Sequence, residues 1–107
     1  MKNPLANLMQ QAQRFQETFQ KTQEEIAATE IQAESGGGLV KIRMNGKREV
    51  LKVEIDPSLR QEEHEVLEDL IAAAFNDGVR RVAKLKQEKM AGLTGSLGIP
   101  PGFNLPF

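Results

Sequence analysis

The sequence predicts an α+β subunit: a long N-terminal helix, a three-stranded antiparallel meander, a long C-terminal helix and a flexible Gly/Pro-rich tail, assembled as a homodimer. Three observations predict it. Apolar residues recur at alternating steps of three and four from Leu5 to Ile26. Strictly alternating segments flank Asn45-Gly46. Apolar residues between Leu67 and Leu85, projected at 100° per residue, cover about half of a helix circumference, where one sheet needs a stripe of only about 100°.

The first helix opens at Asn3-Pro4, since Asn caps orphan N–H groups and Pro is pre-set for the first helical position. Leu5, Leu8, Ala12, Phe15, Phe19, Thr22 and Ile26 form a heptad seam with one polar member. The helix runs to about residue 27, roughly 36 Å at 1.5 Å per residue. Its remaining faces are rich in Gln, so the seam needs another helix as its cover. Glu30-Ile31-Gln32-Ala33-Glu34 alternates weakly, and Gly36-Gly37-Gly38 breaks it as a turn or bulge. Val40, Ile42 and Met44 share one face of the next strand, and Leu51, Val53 and Ile55 that of the last. Asn45-Gly46 between them predicts a type I′ turn. Asp56-Pro57-Ser58 ends the meander. The second helix starts near Glu62, with acidic first turns (Glu62, Glu63, Glu65) and basic last turns (Lys84, Lys86, Lys89) that complement its macrodipole. Its surplus apolar face predicts a second contact, with the first helix or with another subunit. Leu70, Ile71, Ala74, Phe75, Val79 and Val82 are the expected dimer interface. Residues 1–91 form one domain, and residues 92–107, with four Gly and three Pro, a flexible tail.

A chain of 107 residues holds one small domain, which gains from sharing a core with a second copy. It has no Cys, which suits a reducing cytoplasm, and it lacks both a signal-peptide h-region and a membrane-spanning run. The expected location is cytoplasmic. The formal net charge of −1 conceals strong segregation. Residues 38–60 carry six basic and three acidic residues, residues 61–79 six acidic and none basic, and residues 80–107 five basic and one acidic. Local fields follow that distribution.

Catalysis finds no support. His64 is the single histidine and falls in an acidic, exposed turn. No Ser lies in a G-x-S-x-G setting, and the triglycine lacks the Lys-Ser/Thr of a phosphate loop. Glu62, Glu63, Glu65, Glu68 and Asp69 are spread around a helix axis rather than converging as hard-cation ligands. No catalytic residue, metal, cofactor, membrane or small-molecule substrate is expected. The basic residues are the informative group. Arg14 and Lys21 lie on the back of the first helix. Arg80 and Lys84 lie opposite the apolar stripe of the second, with Arg81 at its edge. Lys41, Arg43 and Lys52 share the outer face of the sheet, and Lys47 and Arg48 sit at the hairpin. Taken alone, ordinary surface charge explains them more readily than nucleic acid does, and Glu17–Lys21 and Asp77–Arg81 can pair at i, i+4. With no Tyr or Trp to stack on bases, contact with a duplex backbone is the form binding would take. Exposed Gln10, Gln13 and Gln20 can add uncharged hydrogen bonds to phosphate.

The order of segments resembles the YbaB/EbfC family of bacterial nucleoid-associated DNA-binding proteins. Three stretches carry the resemblance: Leu8-Met9-Gln10-Gln11-Ala12-Gln13; Gly36-Gly37-Gly38-Leu39-Val40 through Met44-Asn45-Gly46 to Ile55-Asp56-Pro57-Ser58-Leu59; and Leu67-Glu68-Asp69-Leu70-Ile71-Ala72-Ala73-Ala74 with Asn76-Asp77. Lys89-Met90 and Leu93-Thr94-Gly95 also fit the family's ending. The linker Arg60-Gln61-Glu62-Glu63-His64 is slightly short beside many relatives, and the tail is extended. The resemblance implies helix–sheet–helix subunits in a tweezer-like homodimer. It also implies binding to double-stranded DNA, alteration of its conformation, nucleoid location, and roles in nucleoid organisation and gene regulation. The family motif is structural and transfers no DNA-contacting residues. The expected DNA-binding set, Arg14, Lys21, Arg80, Arg81 and Lys84, with additional contacts from Lys41, Arg43, Lys47 and Arg48, therefore rests on charge and face geometry. The alternative is a protein-interaction adaptor or chaperone-like clamp without DNA binding.

Overall fold

The computed structural model of the chain describes residues 4–96. It is α+β, in the order α1 (Pro4–Ala28), β1 (Glu30–Ser35), β2 (Val40–Asn45), β3 (Val50–Ile55), a short 3-10 helix (Pro57–Gln61) and α2 (His64–Ser96). The expected cap Asn3 and residues 97–107 of the expected tail lie outside the described residues.

The strands form one antiparallel sheet in the order β1-β2-β3. Ile31 faces Met44 and Ala33 faces Ile42 across the first pair, so apolar side chains line one face. Gly36, Gly37 and Gly38 connect β1 to β2 with φ of 61°, 69° and 98°, and the Gly38 N–H donates to the Ser35 carbonyl. Three successive left-handed residues are the reason for three glycines.

The β2–β3 hairpin differs from the expected type I′ turn. Its loop is Gly46-Lys47-Arg48, closed by hydrogen bonds from Asn45 N to Glu49 O (3.1 Å) and from Arg48 N to Asn45 O (3.0 Å). The left-handed residue is Arg48, φ 64°, the third position of a three-residue loop. The Asn45 side chain fixes the turn by accepting from the Lys47 and Glu49 N–H groups. Gly46 is needed for space instead: it is buried against the Ile26 carbonyl at the end of α1. The register also shifts once, with Met44 opposite Val50 and Arg43 opposite Lys52, so Leu51 is the extra residue of a β-bulge.

The core joins Ala33, Val40, Ile42 and Met44 of the sheet to Ala74 and Val82 of α2, with Leu59 of the 3-10 helix. Asp56 caps that helix by accepting from Ser58 N at 2.9 Å, which holds Leu59 inward. Helix α2 lies over β1 and β2. The expected buried face is therefore only half covered. Val53 and Ile55 sit opposite the buried Ile42 and Val40, yet every residue of β3 is exposed, its four apolar side chains by 36% to 45%.

Helix α2 continues past the boundary expected at residue 91, through Gly92 and Gly95 to Ser96. A helical glycine costs about 1 kcal/mol relative to alanine, and burial of Leu93 offsets such a cost. With the helix longer, its last turn holds no basic residue, contrary to the expected dipole complement, and Glu65 is the acid of its first turn. Part of its surplus apolar face meets α1. The α1 seam is buried in a gradient: Ile26 is buried, Thr22, Phe19 and Phe15 are half-buried, and Ala12, Leu8 and Leu5 are exposed. The Phe15 and Phe19 rings stack 6.1 Å apart. The subunit measures 77 × 24 × 17 Å.

Candidate nucleic-acid interface

The strands alternate, so packing α2 on the Val40-Ile42-Met44 face sends Lys41 and Arg43 to the opposite side. The structure thus divides the basic residues between two sides of the subunit. The alternation of the sequence already put Lys41 and Arg43 on the outer face of the sheet, and the packing of α2 on the other face sets them opposite Arg80, Arg81 and Lys84.

On the α2 side the charges meet at one acid. Asp77 accepts from Arg81 Nε at 2.9 Å and lies 3.7 Å from Arg80 Nη2. It also accepts from the backbone N–H of Glu34 at 3.1 Å, which ties α2 to β1. The Arg81 hydrogen bond, then the Glu34 N–H and the charges of Arg81 and Arg80, hold the Asp77 carboxyl below the usual aspartate range. The Asp77–Arg81 pair was visible as i, i+4 spacing. The bond to Glu34 joins residues 43 apart and left no local signal. Both arginines remain exposed at the surface, Arg80 the more so. Arg81 and Lys84 come together, lining an open hollow of about 370 Å³ with Ile31, Gln32, Leu85 and Glu88. Gln32 was not anticipated there, because the approach of β1 to α2 depends on the tertiary fold.

Arg14 and Lys21 are exposed on α1. Among the described residues the Glu17–Lys21 pair does not form, nor does any ion pair to Arg14 or Lys84. On the sheet side, Arg43 lies 3.9 Å from Glu30 and Lys52 lies 3.0 Å from Glu54. The hydrogen bond and charge of Lys52 lower the Glu54 pKa. Lys47 and Arg48 are exposed at the hairpin loop. The sheet-side charge is thus partly cancelled, Arg43 by Glu30 on the neighbouring strand and Lys52 by Glu54 two residues on in its own strand.

Of the six residues expected at a dimer interface, Ala74 and Val82 have no exposed surface within the subunit. Leu70, Ile71 and Phe75 are half-buried against the core, and Val79 is exposed. Among the described residues no group of three or more His, Cys, Asp or Glu side chains is placed to hold a metal ion. No described helix is long and apolar enough to cross a membrane.

The sequence pattern of the YbaB/EbfC DNA-binding family matches residues 1–97. A protein of Hahella chejuensis (strain KCTC 2396), described as a nucleoid-associated protein, is 59% identical over 107 residues, covering 100% of this chain and 99% of its own. The crystal structure of an uncharacterized protein from Helicobacter pylori superposes with a TM-score of 0.69 at 24% identity, over 86% of this chain and 98% of that one. That likeness shows the α+β fold.

Proposed function

The chain belongs to the YbaB/EbfC DNA-binding family, and from that premise we propose that it is a non-enzymatic, nucleoid-associated homodimer that grips duplex DNA through its backbone. The family match over residues 1–97 carries this reading. The geometry supports it: Arg80, Arg81 and Lys84 are exposed on one side of the root of α2, and Arg14 and Lys21 on α1. Side chains of this kind form charge-assisted hydrogen bonds to phosphate oxygens, which position a protein on a duplex without reading bases. Lys41, Arg43, Lys47 and Arg48 are additional contacts in this proposal. Changes in DNA conformation, nucleoid organisation and gene regulation follow from two such surfaces acting on one duplex.

The homodimer has its own support in β3. Val53, Ile55, Leu51 and Val50 form an apolar strip that α2 leaves uncovered. Fully burying one aliphatic side chain is worth about 1.5–3 kcal/mol, so covering the partly exposed strip in both subunits contributes several kcal/mol. Of the helical positions, Val79 and the exposed edges of Leu70, Ile71 and Phe75 extend the interface. Pairing doubles each basic cluster.

A gel shift with duplex DNA, titrated with salt, tests the reading. Six to ten phosphate contacts lose about 10³–10⁵ in affinity between 50 and 200 mM salt. Reversing Arg80 and Lys84 to Glu should weaken binding and leave the dimer folded. Salt-insensitive or absent binding refutes the function, and a sedimentation mass of one subunit at micromolar concentration refutes the dimer. The adaptor alternative predicts a stoichiometric protein partner and no DNA shift.

A further inference from the structure

The outer half of α1 carries an apolar stripe that no described element covers. Leu8 and Met9 are 62% and 65% exposed, and Ala12, on the same face one turn on, is also exposed. Leu8 and Ala12 continue the seam whose inner half packs toward α2, with Met9 at its edge, so the stripe is half of an interface rather than a scattering of surface residues. Residues 4–13 contain no charged side chain, which argues against phosphate as the occupant.

The path of the chain points to what covers it. Ile31, just after the end of α1, lies beside Leu85 and Glu88. From Leu85, α2 has eleven residues left to Ser96, about 17 Å. Helix α1 runs 24 residues back from Ala28 to Pro4, about 36 Å. The overlap of α1 with α2 and the 77 Å length require the two to run out from the sheet side by side. Helix α1 thus outreaches α2 by about 20 Å, and the bare stripe occupies that excess. At Ser96 the chain lies beside the seam, and eleven residues, 97–107, follow it in the sequence.

We propose that residues 97–107 lie along the outer α1 seam of the same subunit, over Leu8, Met9 and Ala12. The segment is uncharged, with Leu97, Ile99, Phe103, Leu105 and Phe107 among its eleven residues. At about 3.1 Å per residue in the extended form favoured by Pro100-Pro101, eleven residues reach about 34 Å, more than the excess to be covered. Two prolines before the aromatic residues reduce the entropy lost on docking. The occupant is thus a mainly apolar segment without charged side chains, on a stripe that is likewise apolar and without charge. The proposal does not depend on DNA binding.

The chain has no Cys, Trp or Tyr, so introduced reporters are unique. With Leu8→Cys and Phe103→Cys together, a short bismaleimide should link residues 8 and 103 within one chain, giving a product of single-chain mass. In otherwise wild-type protein, Phe103→Trp should emit to the blue of a free peptide of residues 92–107 carrying the same substitution. Adding Met9→Asp should move that emission toward the peptide's. A product of two-chain mass assigns the segment to the second copy and overturns the proposal. So does the absence of cross-linking, or peptide-like emission from Phe103→Trp while α1 is intact.

Discussion

Replacing Gly46 with alanine tests the packing of the hairpin against α1. An ideal Cβ at residue 46 would fall on the Ile26 carbonyl oxygen, 2.5 Å from its carbon and 2.8 Å from Ile26 Cγ2. Carbon atoms rest at about 3.5–4.0 Å, so the hairpin and the end of α1 must separate by about 1 Å or more. The obstacle is backbone, and no rotamer change relieves it. Overpacking costs about 1–3 kcal/mol, and this case belongs at the upper end. The alanine returns about 0.4–1 kcal/mol by restricting the unfolded chain. The net loss is about 2 kcal/mol, or about 8–16 °C in Tm for a domain of this size. Gly92 supplies the opposite case: it is helical, and an added Cβ there meets nothing within 4 Å. Gly92→Ala should gain about 0.5–1 kcal/mol and raise Tm. Thermal denaturation followed by circular dichroism, at one fixed subunit concentration, measures all three proteins. A Gly46→Ala variant melting at or above wild type would falsify the claim that close approach, rather than turn geometry, demands this glycine.

Asp77→Asn removes the acid between Arg80 and Arg81 while keeping an acceptor for the Glu34 N–H; DNA affinity should rise several-fold at low salt with a steeper salt dependence, and an unchanged gel shift would exclude these arginines from the contact. The pKa values of Asp77, Asp56 and Glu54 are lowered in the folded chain. Their stabilisation is therefore complete above the unfolded-state values near pH 4 and is lost as pH falls through the folded values. Urea midpoints should hold from pH 7 to 5 and drop toward pH 3, and a flat profile would contradict the sign. Asp56→Ala should cost about 1 kcal/mol as a lost cap, read as a lower urea midpoint, with the buried Leu59 loosened. Val53→Asp should shift sedimentation toward a single subunit while the far-ultraviolet spectrum persists; an unchanged mass would move the interface away from β3.

The elements themselves were legible because each has a strong period: the α1 seam, the alternation in β2, and the long stripe of α2 all appear where expected. Three features were not. The hairpin loop was misread because Asn45-Gly46 is the common signal for a two-residue turn, whereas this glycine answers to Ile26, a neighbour twenty residues away. The end of α2 was misread because glycines mark breaks locally, and the burial of Leu93 that sustains the helix is tertiary. The apolar residues of β3 announced a covered face, but periodicity cannot say whether the cover is α2 or another chain. At the candidate site, face geometry located each cation. The shared hollow of Arg81 and Lys84 and the anchoring of Asp77 by Glu34 depend on strand–helix docking.

The elongated shape has a hydrodynamic consequence. A compact domain of about 100 residues has a radius of gyration near 13 Å; this subunit's is 20.0 Å. By the same scaling, 20.0 Å is the size of a compact chain of about 330 residues. On a gel-filtration column calibrated with spherical standards, one subunit would elute ahead of its true mass. The rod's own drag would mimic assembly, so counting subunits calls for a shape-independent mass, by light scattering or sedimentation equilibrium.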